Sequence, residues 1–230
     1  FVGFLAMAVI AAIFLQVRQE ETLPREKRVA FSAGNLFRSA IEFFRFPSAW
    51  GYTVAVGFIF ASFICYLGTS QQIFAEQYAQ GEWFAVWFGV FAIAIACAMI
   101  FNGRMVMRHG MRTLAKWAVR GCILLAAVFL PVALAYAGQP PLWTLGLFLF
   151  CTFFCCGILF GNYNAMAMEP VGHIAGMAAA ISGTLSTLVA LAIGTWFGQQ
   201  YDGTVMPLAY AFLAMSVAAI ETESQVHPHH

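Results

Sequence analysis

Charge is what this sequence has least of: Asp, Glu, Lys and Arg make up 9% of its 230 residues, against about 25% in an ordinary soluble domain. Apolar residues reach 62%, a share that excludes a soluble globule, because water would face a surface too apolar to dissolve. Lipid accepts apolar side chains on the outside of a helix bundle as readily as in its core. Lys and Arg are missing outside residues 18–45 and 104–120. The net charge of +1 is therefore less informative than where the charges lie, and nucleic acid is not an expected partner. Histidine is missing from every long apolar run. With no H-E-x-x-H and no nucleophile motif, an intramembrane enzyme lacks its catalytic groups, and no catalytic residue, metal site or cofactor is expected. A disulfide framework is also missing, since the six cysteines (Cys65, Cys97, Cys122, Cys151, Cys155, Cys156) all fall inside apolar stretches and read as packing residues. No Met or charged leader precedes the first apolar run, so the sequence reads as part of a longer chain.

What is present is a series of apolar runs near the length of about 20 residues that a membrane-spanning helix needs. Seven are drawn: Phe1 to Val17, Ala49 to Ser70, Trp83 to Phe101, Leu114 to Ala137, Leu142 to Phe160, Ile174 to Phe197 and Thr204 to Ile220. The fold class is an all-α membrane protein with seven transmembrane helices. Residues 1–17 form the first span and 18–46 a charged linker whose later part, SAGNLFRSAIEFFRF, suits an amphipathic surface helix. Residues 47–221 form a six-helix bundle, and 222–230 form a tail. The terminal His227, His229 and His230 lack the preorganised geometry of a metal site.

The two basic segments are separated by two spans and so face the same side. By the positive-inside rule that side is the cytoplasm, which puts the start of the chain outside and its end inside. Trp50, Trp83, Trp117, Trp143 and Trp196 fall near span ends, where an indole prefers the interface. No acidic residue is expected in the apolar interior. Glu76, Glu82 and Asp202 fall in outer loops, and Glu169 at the cytoplasmic end of the fifth span.

The turn after the third span reads NGRMVMRHGMRTL from Asn102 to Leu114. Gly103 is read as permitting close helix approach, Gly110 as a turn with positive φ, and the arginines as anchors at an anionic surface. This turn resembles the cytoplasmic loop signature of the major facilitator superfamily, G-x-x-x-D-R-x-G-R-R, at Gly103, Arg108, Gly110 and Arg112. Met107 and Met111 stand where the signature has Asp and its first paired Arg. The stretch from Gly161 to Ala180, GNYNAMAMEPVGHIAGMAAA, resembles the junction of helices 10 and 11 in the bicyclomycin-resistance (Bcr/CflA-like) efflux family. Glu21-Thr22-Leu23 is similar to that family's central loop.

The resemblance implies helices 6 to 12 of a 12-helix transporter, in which two inverted three-helix repeats flank a central cavity. It also implies proton-coupled efflux of drugs or small amphipathic molecules across the bacterial inner membrane. The partners are then lipid, a missing N-terminal half, the small-molecule substrate and protons. A non-transporting membrane scaffold or regulator remains the alternative from a different class.

Candidate cavity residues are Tyr52, Phe58, Ser62, Tyr66 and Thr69 on the second span, with Phe153, Phe154 and Asn162 on the fifth, because drug pockets combine apolar walls with few polar groups. Gly103, Arg108, Gly110, Arg112 and Glu169 are candidates for gating. Glu169 and His173 are four apart, but Pro170 and Gly172 interrupt a helix there. Glu169 is read as capping a helix start or meeting a cytoplasmic arginine. On the sixth span, Gly176, Ala180 and Thr184, then Ala190, Gly194 and Gly198, form a small-residue stripe at intervals of four. The stripe serves packing inside the bundle or a sliding contact with the other half.

Overall fold

The computed structural model describes residues 2–18 and 33–226, and its regular structure is entirely helical. The helices are α1 (Val2–Arg18), α2 (Ala33–Arg45), α3 (Pro47–Gln72), α4 (Phe84–His109), α5 (Met111–Ala135), α6 (Leu142–Met168), α7 (Ala175–Gln199) and α8 (Met206–Val226). Two compact units divide the chain, residues 1–36 and 37–230. The first contains α1, a helix that carries no charge until Arg18. Glu21, Thr22 and Leu23, the other linker charges from Glu20 to Arg28, and the histidines of the tail lie outside the described residues.

The second unit is the six-helix bundle α3–α8, preceded by most of α2. Pro47–Gln77, Gly81–His109, Met111–Ala135 and the continuous run Leu142–Gln199, which holds both α6 and α7, are long and apolar enough to cross a membrane. Several helices outrun their apolar segments. α4 continues past Phe101 to His109, α6 past Phe160 to Met168, and α8 past Ile220 to Val226. Helical hydrogen bonding satisfies the backbone at the interface just as it does in lipid, so loss of hydropathy does not end a helix. What ends α4 is Gly110, whose φ of 79° is the positive-φ turn expected of it. Trp50, Trp83, Trp117, Trp143 and Trp196 are all exposed.

The helices pair in a pattern that repeats itself. α3 packs on α7, α8 and α6, while α6 packs on α4, α5 and α3; α5 and α8 meet each other. Exchanging the triplet α3–α4–α5 for α6–α7–α8 leaves this set of contacts unchanged, as two repeats of the same three-helix unit require. α3 and α6 are consequently the central helices of the unit. The α4–α5 and α7–α8 neighbours in sequence touch much less.

Close approach marks the two equivalent contacts, α3 with α7 and α6 with α4. A Cβ built on Gly57 of α3 would stand 2.8 Å from Val189 Cβ of α7, and one on Gly157 of α6 would stand 2.8 Å from Ala98 Cβ of α4. On α7 the buried residues are Ala178, Ser182, Ser186, Ala190 and Gly194. The expected stripe divides: Ala190 and Gly194 pack inside the bundle, Gly198 makes an ordinary contact with Thr69, and Gly176, Ala180 and Thr184 are exposed on this bundle. Both series recur every four residues, and α3 covers the one that also supplies Ser182 as a hydrogen-bonding partner for Thr53. Gly103 also departs from expectation, because open space surrounds it.

A Cβ on Gly194 would lie 2.5 Å from the Ala61 carbonyl oxygen and 2.7 Å from Ile64 Cβ, neither of which can move without shifting α3. Gly194→Ala is therefore expected to destabilise the bundle by about 1–3 kcal/mol. Gly176→Ala, with nothing within 4 Å, should be neutral or slightly stabilising. Thermal unfolding of the two variants in detergent checks the difference.

Candidate functional site

All Lys and Arg residues described in the second unit belong to α2 or to the α4–α5 hairpin around Gly110. The same end of the bundle carries the α6–α7 connection and the end of α8. Arg112 at the start of α5 reaches Glu169 at the end of α6, 3.7 Å away, with side chains 51% and 59% exposed. Glu42 of α2 pairs with His173, while Phe43 is buried with Ala49, Val171 and Ala178. The gating candidates thus divide. Gly110 forms the turn and Arg112 meets Glu169, whereas Arg108 is an exposed side chain of α4.

One buried acidic residue at this end falls where the sequence predicts a tail: Glu223 lies in α8 with only 4% of its surface exposed. The Tyr163 hydroxyl of α6 donates to its Oε2 at 3.1 Å, and the Tyr163 ring packs against Tyr52 of α3 at 5.6 Å. Burial pushes the Glu223 carboxyl above its ordinary value, opposed by the Tyr163 hydrogen bond and by Lys116 and Arg120. Tyr52, Arg112, Lys116, Arg120, Ile220, Glu223 and Ser224 line a cavity of about 290 Å³. A signal for Glu223 did exist in sequence: Leu208, Phe212, Ser216, Ala219 and Glu223 continue one face at helical spacing, and all of them are buried.

Most of the expected cavity side chains are committed inside the bundle. Ser62 donates to the Ala211 carbonyl of α8 at 3.3 Å, and Thr69 to the Cys65 carbonyl at 2.9 Å. Asn162 Nδ2 donates to Asn102 Oδ1 of α4 at 2.7 Å and to the Ile158 carbonyl at 3.0 Å. Tyr66 and Phe153 are ring partners at 4.9 Å, and Phe63, Phe88 and Phe91 pack around Tyr66. Tyr52 is likewise buried.

Apart from Tyr52, which also lines the cavity beside Glu223, these side chains are held between helices, for a physical reason. α3 and α6 are central helices, so their polar and aromatic residues face other helices, and a buried polar group must find its partner there. Phe58 and Phe154 are half-buried. A separate, open groove of about 610 Å³ lies between α3 and α7, with Gln72, Thr195, Gln199 and Tyr201 among its polar lining.

The Glu223 and Glu169 contacts differ in cost. Tyr163→Phe removes the only described hydrogen-bond donor to a buried carboxyl and is expected to cost about 1–3 kcal/mol. Arg112→Gln breaks an exposed pair and should cost under about 1 kcal/mol. Chemical denaturation of the purified variants measures both.

The sequence profile of the Major Facilitator Superfamily matches residues 1–219. A curated relative, named uncharacterized MFS-type transporter YdgK, from Bacillus subtilis (strain 168), is 27% identical over 217 residues. The alignment covers 94% of this chain and 52% of that protein, so the chain spans about half the length of the curated relative it matches. No solved structure matches.

Proposed function

Because the chain belongs to the Major Facilitator Superfamily, a family of transporters and not of enzymes, we propose that this multi-pass membrane protein supplies one six-helix bundle and a preceding helix to a proton-coupled efflux transporter. Its cargo is a drug or another small amphipathic molecule, as in the Bcr/CflA-like group that residues 161–180 resemble. The observation that carries the transport reading is the paired-triplet bundle, in which α3–α4–α5 and α6–α7–α8 make equivalent contacts. Such repeats build transporters whose site lies between two bundles that rock against each other. A second bundle is therefore a partner in function, and coverage of 52% of the YdgK relative's length is compatible with that need.

In this reading the basic end faces the cytoplasm of a bacterial inner membrane, following the positive-inside rule. Phe58 and Phe154 remain candidates for substrate contact, Tyr52 lines the cavity beside Glu223, and the other five act behind them by holding α3 and α6 in place. Gly110 sets the α4–α5 turn. The exposed Arg112–Glu169 pair is a tie between the two triplets that costs little to break, which suits a contact that opens during transport. Arg108 supplies positive charge to the same surface, and Gly194 keeps α7 against α3.

Vesicles containing the complete transporter, loaded with a fluorescent lipophilic cation, test this. Efflux is expected to follow an imposed proton gradient and to vanish with a protonophore. At equal protein level, Glu169→Gln should slow it several-fold. Flux independent of the gradient contradicts proton coupling, and null flux across a broad panel of cargoes contradicts efflux.

A further inference from the structure

Arg112, Lys116 and Arg120 recur every four residues on α5, which places them on one helix face. That face forms a wall of the cavity of about 290 Å³, opposite Tyr52 of α3 and Ile220, Glu223 and Ser224 of α8. Arg112 leans on Glu169. Neither Lys116 nor Arg120 closes an ion pair with a carboxylate among the described residues. The one carboxylate in the wall, Glu223, has Oε2 engaged by Tyr163 and Oε1 without a hydrogen-bond partner. With Arg112 set against Glu169, Lys116 and Arg120 face the single carboxylate of Glu223 and leave a formal surplus of one positive charge. Lys116 is half-buried and Arg120 exposed, and both line the cavity.

We propose that this cavity binds a phosphate group, carried by an anionic phospholipid headgroup or by a soluble phosphate ester. Tetrahedral phosphate offers several acceptor oxygens, so it can take the Arg120 fork and the Lys116 ammonium at once; a planar carboxylate is less suited to bridge them. Ile220 and the lysine stem supply an apolar flank for the ester carbon atoms. The cavity opens among helices at the end of the bundle where the basic residues gather, a position at which basic pockets of membrane proteins hold anionic headgroups. Glu223 sits in the same lining and opposes the bound anion, which makes its removal diagnostic. None of this depends on the transport reading.

Native mass spectrometry of the full chain in detergent, titrated separately with phosphatidylglycerol, phosphatidylcholine and inorganic phosphate, tests the site. Phosphatidylglycerol or inorganic phosphate should bind saturably, and phosphatidylcholine should not. Displacement of the lipid by millimolar phosphate assigns the site to soluble esters; retention assigns it to the headgroup. Lys116→Gln with Arg120→Gln should weaken binding by more than about ten-fold, at about five-fold per cation. Arg38→Gln with Arg104→Gln removes the same charge away from the cavity and should change binding less than about two-fold. Glu223→Gln should tighten binding, a gain that misfolding cannot produce. Absence of binding by both phosphate sources, equal loss in the two double variants, or weaker binding by Glu223→Gln would overturn the proposal.

Discussion

Lipid gives helices no reason to associate through their apolar surfaces, because hydrocarbon solvates a leucine as well as another leucine does. What remains is close approach of backbones, with its dispersion contacts, and the pairing of polar groups that lipid cannot satisfy. Both occur at the two contacts on which this bundle is built. Between α3 and α7, Gly57 meets Val189, Gly194 meets Ala61 and Ile64, and Thr53 shares a hydrogen bond with Ser182. Between α6 and α4, Gly157 meets Ala98 and Ile95, and Asn162 pairs with Asn102. The equivalence of the two triplets therefore extends to the means by which each central helix is gripped.

The ends of the bundle are held by different physics. At the basic end the ties are an exposed Arg112–Glu169 pair, the Glu42–His173 pair and the buried Tyr163–Glu223 hydrogen bond. At the other end, which has no Lys or Arg, side chains reach backbone: Gln77 donates to the Gly138 carbonyl, Tyr78 donates to that of Pro140, and the Val205 amide also bonds Gly138. Exposed ion pairs contribute little and respond to salt, whereas bonds to backbone carbonyls are neutral and local. The basic end is thus the end whose contacts ligands, protons and lipid charge can alter.

The positions of the apolar spans, the Gly110 turn and the clustering of basic residues were legible because each is written in consecutive residues. Which face of α7 turns inward was not. Gly176-Ala180-Thr184 and Ala178-Ser182-Ser186 offer the same small-residue spacing, and in lipid no polar face marks the outside. Which cavity candidates meet a neighbouring helix was illegible for a related reason: an aromatic or hydroxyl on a central helix looks the same in sequence whether it meets a neighbour or a ligand. In sequence Glu223 reads as part of a tail, because its neighbours Glu221, Ser224 and Gln225 are polar. The groups that make its burial tolerable, Tyr163, Lys116 and Arg120, come from helices far away in the chain.

The register and facing of α7 on α3 is the point on which the paired-triplet account stands most directly. Thr53 and Ser182 hydroxyls lie 2.9 Å apart, close enough for cysteines placed there to approach disulfide geometry. In a chain whose native cysteines have been replaced, Thr53→Cys with Ser182→Cys should cross-link rapidly under mild oxidation, with the linked peptides identified by mass spectrometry. Thr53→Cys with Ala180→Cys should stay reduced. Preferential cross-linking of the Ala180 pair would turn the other face of α7 toward α3 and contradict the account.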